Sequence, residues 1–311
     1  MALRNNLRKF AENDEDDRIF VSWQKTMKMT KTGLVLEGGA LRGLFSAGVT
    51  DVLMEAGIAF DGLVGVSAGA AFGCNYKSRQ PGRAIRYNKR FAHDWRYCSW
   101  RSWLTTGDLF GAEYAYHYIP THLDIFDHQA FDANPMEFYV VCTDVETGLP
   151  VYKLLMQSSD ETYDWIRASA SMPLVSRVVR LEGKSVLDGG VADSIPLKFF
   201  EDKGYDRNVV VLTQPAGYQK AHNPFMPLMR LSLRKYPHFL HALDTRHVMY
   251  NEQLRYVAQR EEQGHALVIR PEEPLQIGHV EHDPDVMQRV YDEGRRVASA
   301  RLNEITDYLR Q

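Results

Sequence analysis

Ser67 stands between Gly65 and Gly69 in the stretch DGLVGVSAGA (61–70), and residues of these types at this spacing suit a nucleophile. An apolar run climbs to the serine and small residues follow it, which reads as a strand, a sharp turn and a helix. Glycines two residues to either side let the backbone fold tightly without Cβ clashes. Such a turn puts the hydroxyl at the carboxyl end of a parallel strand, where open α/β sheets bind ligands. The following helix points its first amides and positive dipole end at a developing oxyanion. A small residue packed between strand and helix is the competing reading.

Two further segments could serve this serine. EGGALRG (37–43) follows the first strand pattern and opens the first helix, so its small residues allow main-chain N–H groups to converge on an anion. As a dinucleotide fingerprint it fails, because Ala40 takes the middle glycine position and Asp61 precedes the second strand instead of ending it. LDGGVADSIP (187–196) places Asp188 after a short apolar run and before two glycines, where its carboxylate can sit at a strand end with the backbone close by. Partial desolvation can make a carboxylate a serviceable base when it hydrogen-bonds a serine directly. An ordinary turn aspartate is the alternative. An α/β-hydrolase triad would need a downstream histidine. His222, His238, His241, His247, His265, His279 and His282 all fall in loop or amphipathic sequence, and only about one strand–helix unit precedes Ser67.

These residues need a sheet to hold them. Short apolar runs at 33–36, 62–66, 138–145, 185–188, 208–214 and 266–271 alternate with helical patterns, which predicts an α/β fold with a mostly parallel central sheet flanked by helices. Residues 225–263 read as helical, and the last segment starts at Pro284 with Val286, Val290, Val297, Leu302, Ile305 and Leu309 roughly on one face. Residues 1–30 form a polar leader with an acidic cluster at Asp14–Asp17, expected to be flexible. A core at 31–215 and a mainly helical extension at 216–311 are expected to pack as one compact domain. With 311 residues, 44% of them hydrophobic and 25% charged, the chain can bury a sizeable core unaided. A net charge of −3 argues against a general nucleic-acid binder. Cys74, Cys98 and Cys142 form no disulfide framework, and there is no apolar span or signal-peptide core, so a cytoplasmic protein is expected.

A glycine-rich turn with arginine, then GxSxG, then DGG is an ordered set, and over residues 32–214 the chain resembles the patatin-like phospholipases. ASASMPLV before the DGG strand and VVVLTQPAGY after it resemble the bacterial branch, as does the helical extension. The resemblance implies a three-layer patatin-like fold and a serine lipid acyl hydrolase (phospholipase or lysophospholipase) that needs no cofactor or metal. Its nucleophile would be Ser67 in the elbow Gly65–Gly69, and its general base Asp188 with Gly189 and Gly190. Gly38, Gly39 and Ala40 would supply oxyanion donors, with Arg42 and Gly43 completing the motif. The family usually has a third glycine at the Ala40 position.

One stretch suggests where lipid enters. Between Lys77 and Arg101 there are eight Lys or Arg and one acid, Asp94, interleaved with aromatics. Trp95, Arg96, Trp100, Arg101 and Trp103 together suit a lid whose rings enter an acyl layer while the cations meet anionic headgroups at the inner membrane surface. The same pattern also fits a solvated basic face over a core helix, and no nucleic-acid motif accompanies it. His238-x-x-His241, and His279 with His282, Glu281 and Asp283, lack the converging scaffold of a metal site.

Overall fold

The computed structural model describes residues 30–311; the expected leader (1–30) lies, all but its last residue, outside the described residues. The chain runs β1 (Lys31–Leu36), α1 (Gly43–Glu55), β2 (Gly62–Val66), α2 (Ala68–Lys77), α3 (Arg83–Arg90) and α4 (Trp100–Thr106). A π-helical segment (Tyr114–Leu123) and α5 (His128–Ala133) lead to the β3 (Glu137–Asp144) and β4 (Pro150–Leu154) hairpin. Then come α6 (Asp160–Ser169), β5 (Val179–Leu181), β6 (Lys184–Asp188), α7 (Leu197–Asp202) and β7 (Tyr205–Val211). The chain closes with α8 (Met226–Ser232), α9 (Pro237–Glu262), β8 (Ala266–Ile269), α10 (Pro284–Ala300) and α11 (Leu302–Arg310).

Five strands, β3–β2–β1–β7–β8, pair in parallel. Their side chains alternate between two cores. Leu34, Leu36, Leu63, Val140 and Val209 pack on one face, and Val35, Val64, Val66, Val141 and Val210 on the other. Both faces are therefore covered, which is why these strands read as continuous apolar runs. α1, α2, α6 and α10 carry the first core, while Phe200 of α7 with Tyr250 and Val257 of α9 close the second. The result is a three-layer α/β architecture.

The sheet is more mixed than the apolar runs imply. β4, β5 and β6 are antiparallel, joined through the tight turns after β3 and β5. Pairing direction follows from loop length, and Glu146–Leu149 and Glu182–Gly183 are too short for a crossover. Register then does something specific. Cys142 and Thr143 pair with β4 on one edge, so β6 must take the other, which β2 occupies up to Val66↔Val141. The pair Cys142↔Asp188 therefore falls where β2 has just ended and Ser67 begins.

The carboxy-terminal segment is built into this core. β8 extends the parallel sheet. α10 crosses α1 at two glycines, with Gly48 against the carbonyl of Tyr291 and Gly294 against the carbonyl of Phe45. Tyr291 donates a 2.6 Å hydrogen bond to the buried carboxylate of Asp51, and Arg295 forks onto Glu55.

Candidate active site

β2 delivers its last buried valine, Val66, straight into Ser67, whose φ of 55° and ψ of −120° place it in a sparsely populated region. Such a turn costs on the order of 1–3 kcal/mol and persists only where packing imposes it. The packing here has no room for side chains. A Cβ on Gly65 would lie 2.5 Å from the Gly69 carbonyl, and one on Gly69 would lie 2.4 Å from the Leu36 carbonyl. The serine amide donates to Ser169 Oγ at 2.8 Å, and Ser169 Oγ in turn donates to the Val141 carbonyl at 2.6 Å. Ser169 thus ties the elbow to β3 through the end of α6.

Asp188 meets the serine directly. Ser67 Oγ donates to Asp188 Oδ2 at 2.7 Å, and the Gly190 amide donates to Oδ1 at 2.8 Å. Its own amide is held by the Ser171 carbonyl, and its carbonyl by the Thr143 hydroxyl. Gly189 lets the chain pass against β3, where a Cβ would meet the Val141 carbonyl at 2.1 Å. Both side chains are buried. Desolvation raises the Asp188 pKa, opposed first by Arg246 and then by the hydrogen bonds from Ser67 and Gly190 and the charge of Lys220. Among the described residues no histidine bonds to either side chain.

The Gly38–Gly39–Ala40 turn lies beside the elbow, with Gly38 packed on Ser67 Cβ and Val66, and Gly43 on Ala68 and Phe72. Among the described residues the amides of Gly38, Gly39 and Ala40 donate to no protein acceptor. Glu37 anchors the turn. It is fully buried, accepts from the Thr213 amide at 2.6 Å and from the Tyr250 hydroxyl at 2.5 Å, and has its pKa raised by burial. Ala40 holds φ at 49°, the left-handed region. An L side chain there costs roughly 1–2 kcal/mol, of which glycine recovers part after its own entropic loss. Ala40→Gly is therefore expected to raise stability by about 0.5–1 kcal/mol in thermal denaturation. A loss would mean that the methyl's packing outweighs the backbone strain.

On one side of Ser67 opens a cavity lined by Leu41, Phe72, Ile119, Pro120, Ile166 and Met172. Outside that lining stand Arg246 and Lys220, whose charges act on Asp188, and Arg42, whose charge acts on Glu37. Arg246 Nε donates to the Gly190 carbonyl, and Lys220 Nζ lies 4.9 Å over the Tyr250 ring. Lys220 and Arg246 were not legible as site residues. They lie some thirty to sixty positions past the DGG segment, in a loop and on α9, with no motif around them. Ser169 carried a faint signal in the ASASMPLV stretch.

The basic aromatic stretch divides. Lys77 and Arg83 are buried, Lys77 bonding to the Asn134 and Met136 carbonyls and Arg83 to Asn75 and the Asp124 carbonyl. Arg96 pairs with Asp94, and Trp103 packs on the core with its indole N–H on the Leu174 carbonyl. Trp95 and Trp100 remain exposed, at 40% and 66%, with Arg101 stacked 4.2 Å over the Trp95 ring. His238, His241, His279 and His282 are all exposed, and no metal-ligand group forms among the described residues.

Comparison with known proteins adds relatives to this geometry. The protein YjjU of Escherichia coli K12 is 33% identical over 195 residues, which is 60% of this chain and 53% of that one. Lysophospholipase nte1 of Aspergillus oryzae is 30% identical over 179 residues, 56% of this chain and 11% of the fungal one. The chain thus matches about half of the first relative's length and about a tenth of the second's. The crystal structure of VipD from Legionella pneumophila aligns with a TM-score of 0.45 and 13% identity, covering 89% of this chain and 67% of that one. A family model for a domain of unknown function, DUF6363, matches residues 236–310. The patatin-like phospholipase model matches residues 34–200, more than half of the chain, so the chain belongs to the patatin-like phospholipase family.

Proposed function

We propose that the protein is a serine lipid acyl hydrolase working through a Ser67–Asp188 dyad. One observation carries the reading: a buried, strained serine on a strand–helix turn donates a 2.7 Å hydrogen bond to a buried carboxylate whose proton affinity burial has raised. Ser67 Oγ attacks the ester carbonyl as Asp188 takes its proton. The tetrahedral oxyanion rests on the amides of Gly38, Gly39 and Ala40, helped by the amino end of α2. Asp188 returns the proton to the leaving alcohol, and water then resolves the acyl-enzyme with Asp188 as base again. The apolar cavity beside Ser67 suits the acyl chain. Family membership and the lysophospholipase relatives support a phospholipid or lysophospholipid substrate. Exposed Trp100 and Leu104, with Arg101 beside them, suit peripheral contact with an anionic lipid surface.

A fluorophosphonate probe tests the reading. The protein is expected to label on the Ser67 peptide, and Ser67→Ala to lose all labelling. An unlabelled native protein would instead mark a non-catalytic lipid- or protein-binding member of the fold.

A further inference from the structure

Arg42, Lys220 and Arg246 come from three separate elements, the glycine turn, the loop after β7 and α9. Among the described residues none of them has a salt-bridge partner, although most other buried or half-buried arginines here do. Arg42 Nε is buried and meets no acceptor. Arg246 is fixed by its Nε bond to the Gly190 carbonyl, with Nη2 lying 2.9 Å from where a Gly190 Cβ would be. Lys220 is pinned through its backbone, donating to and accepting from the Asn251 side chain, with its ammonium over Tyr250.

The charges of Arg246 and Arg42 act on Lys220. Burial and these charges push its pKa down to about 8, while Glu37 and Asp188 pull the other way. Although His279 keeps an exposed surface, partial desolvation pushes its pKa down, and the charges of Arg42, Lys220 and Arg246 add to this. The only acids in this balance are already committed, Glu37 to Tyr250 and Thr213 and Asp188 to Ser67 and Gly190. Three cations held together without a free carboxylate leave a positive field with no counter-ion among the described residues. None of the three lines the apolar cavity, so Ser67 has two chemically different neighbourhoods, one apolar and one cationic.

We propose that Arg42, Lys220 and Arg246 bind the phosphate of an acyl lipid, so that the enzyme selects esters with an anionic phosphate near the scissile carbonyl. This rests on the hydrolase reading above. The apolar cavity takes the acyl chain, and the cationic cluster takes the phosphate through charge-assisted hydrogen bonds.

The test compares kcat/KM on the full chain for two esters with the same acyl group, 1-decanoylglycerol and its 3-phosphate, both kept monomeric. The phosphate ester is expected to be preferred, and Lys220→Gln to lower that preference by about tenfold, the worth of one hydrogen bond to a charged group. The change should appear in KM more than in kcat, and Lys220→Arg should restore it. Taking the ratio of two substrates on one preparation cancels any loss of folded enzyme. Inorganic phosphate, titrated against the neutral ester, separates the sources. Competitive inhibition weakened by Lys220→Gln, without preference for the phosphate ester, would keep the anion site but assign it to free phosphate, overturning the lipid selectivity. Equal kcat/KM for both esters with no effect of phosphate overturns the anion site and leaves the hydrolase reading standing. Failure to hydrolyse either ester, with no fluorophosphonate labelling, overturns both.

Discussion

Asp188→Asn is expected to cut kcat/KM for a soluble acyl ester by on the order of 10³–10⁴, the range for losing a general base that also organises the nucleophile. The carboxylate accepts two hydrogen bonds, from Ser67 Oγ and the Gly190 amide. An amide side chain offers one acceptor oxygen. Its NH₂ must therefore face either the serine, which then has no base, or the Gly190 N–H, which then has no acceptor. The pH profile gives a second readout. Desolvation raises the Asp188 pKa, so the acid limb of kcat/KM should lie above the ordinary aspartate value of about 3.9. Activity is present above that limb, where Asp188 is ionised, and is lost with a one-proton slope as pH falls through it. The residual rate of Asp188→Asn should show no such limb. Activity within tenfold of wild type, with abolition by a single His→Ala change instead, would mean that the dyad is not the catalytic unit.

Gly294→Ala is the second large effect, here on stability. Helix propensity alone predicts a gain of about 1 kcal/mol, because glycine is a poor interior helix residue. The crossing of α10 and α1 predicts the opposite. The added Cβ would fall 2.0 Å from the Phe45 carbonyl oxygen, and Gly48 has the matching approach of 2.1 Å to the Tyr291 carbonyl. Carbon–oxygen contacts settle near 3.3 Å, so the helices must separate by about an ångström. We expect a loss of about 3 kcal/mol, at the upper end for overpacking. By the scaling for large domains this lowers Tm by about 6 °C or more in a circular-dichroism melt. Because α1 starts directly after the Gly38–Gly39–Ala40 turn, part of the proposed activity should go with it. An unchanged or higher Tm would show that the crossing is looser than its contacts indicate.

Local features were legible because local sequence carries their physics. The valines of β2, the glycines around Ser67 and the small residues of α2 declare a strand, a strained turn and a buried helix within some fifteen positions. Ala40, where the family usually has glycine, occupies a left-handed φ of 49°. That Ser67 and Asp188 are residues of a suitable type could also be read, because each ends an apolar run, Ser67 two positions before Gly69 and Asp188 directly before Gly189.

Which groups actually meet is a matter of tertiary structure. Asp188 reaches Ser67 because β6 runs antiparallel against β3 beyond the end of β2, a register that no apolar pattern encodes. Ser169, Lys220 and Arg246 come to the site from 102 to 179 positions away along the chain, counting from Ser67, and nothing in the neighbours of Lys220 and Arg246 marks them. No local pattern marks Gly294 as a contact residue; its role comes from α1 packing against it. Charge behaved the same way: much of the basic stretch at 77–101 is paired or buried, while Lys220 and Arg246, which have no salt-bridge partner among the described residues, lie where the sequence carries no motif. The sequence alone determined the elements and the chemistry each could offer, through short-range sterics and burial patterns. Only the folded chain decided which charges found partners and which were left without one, because pairing depends on distances that residue order does not contain.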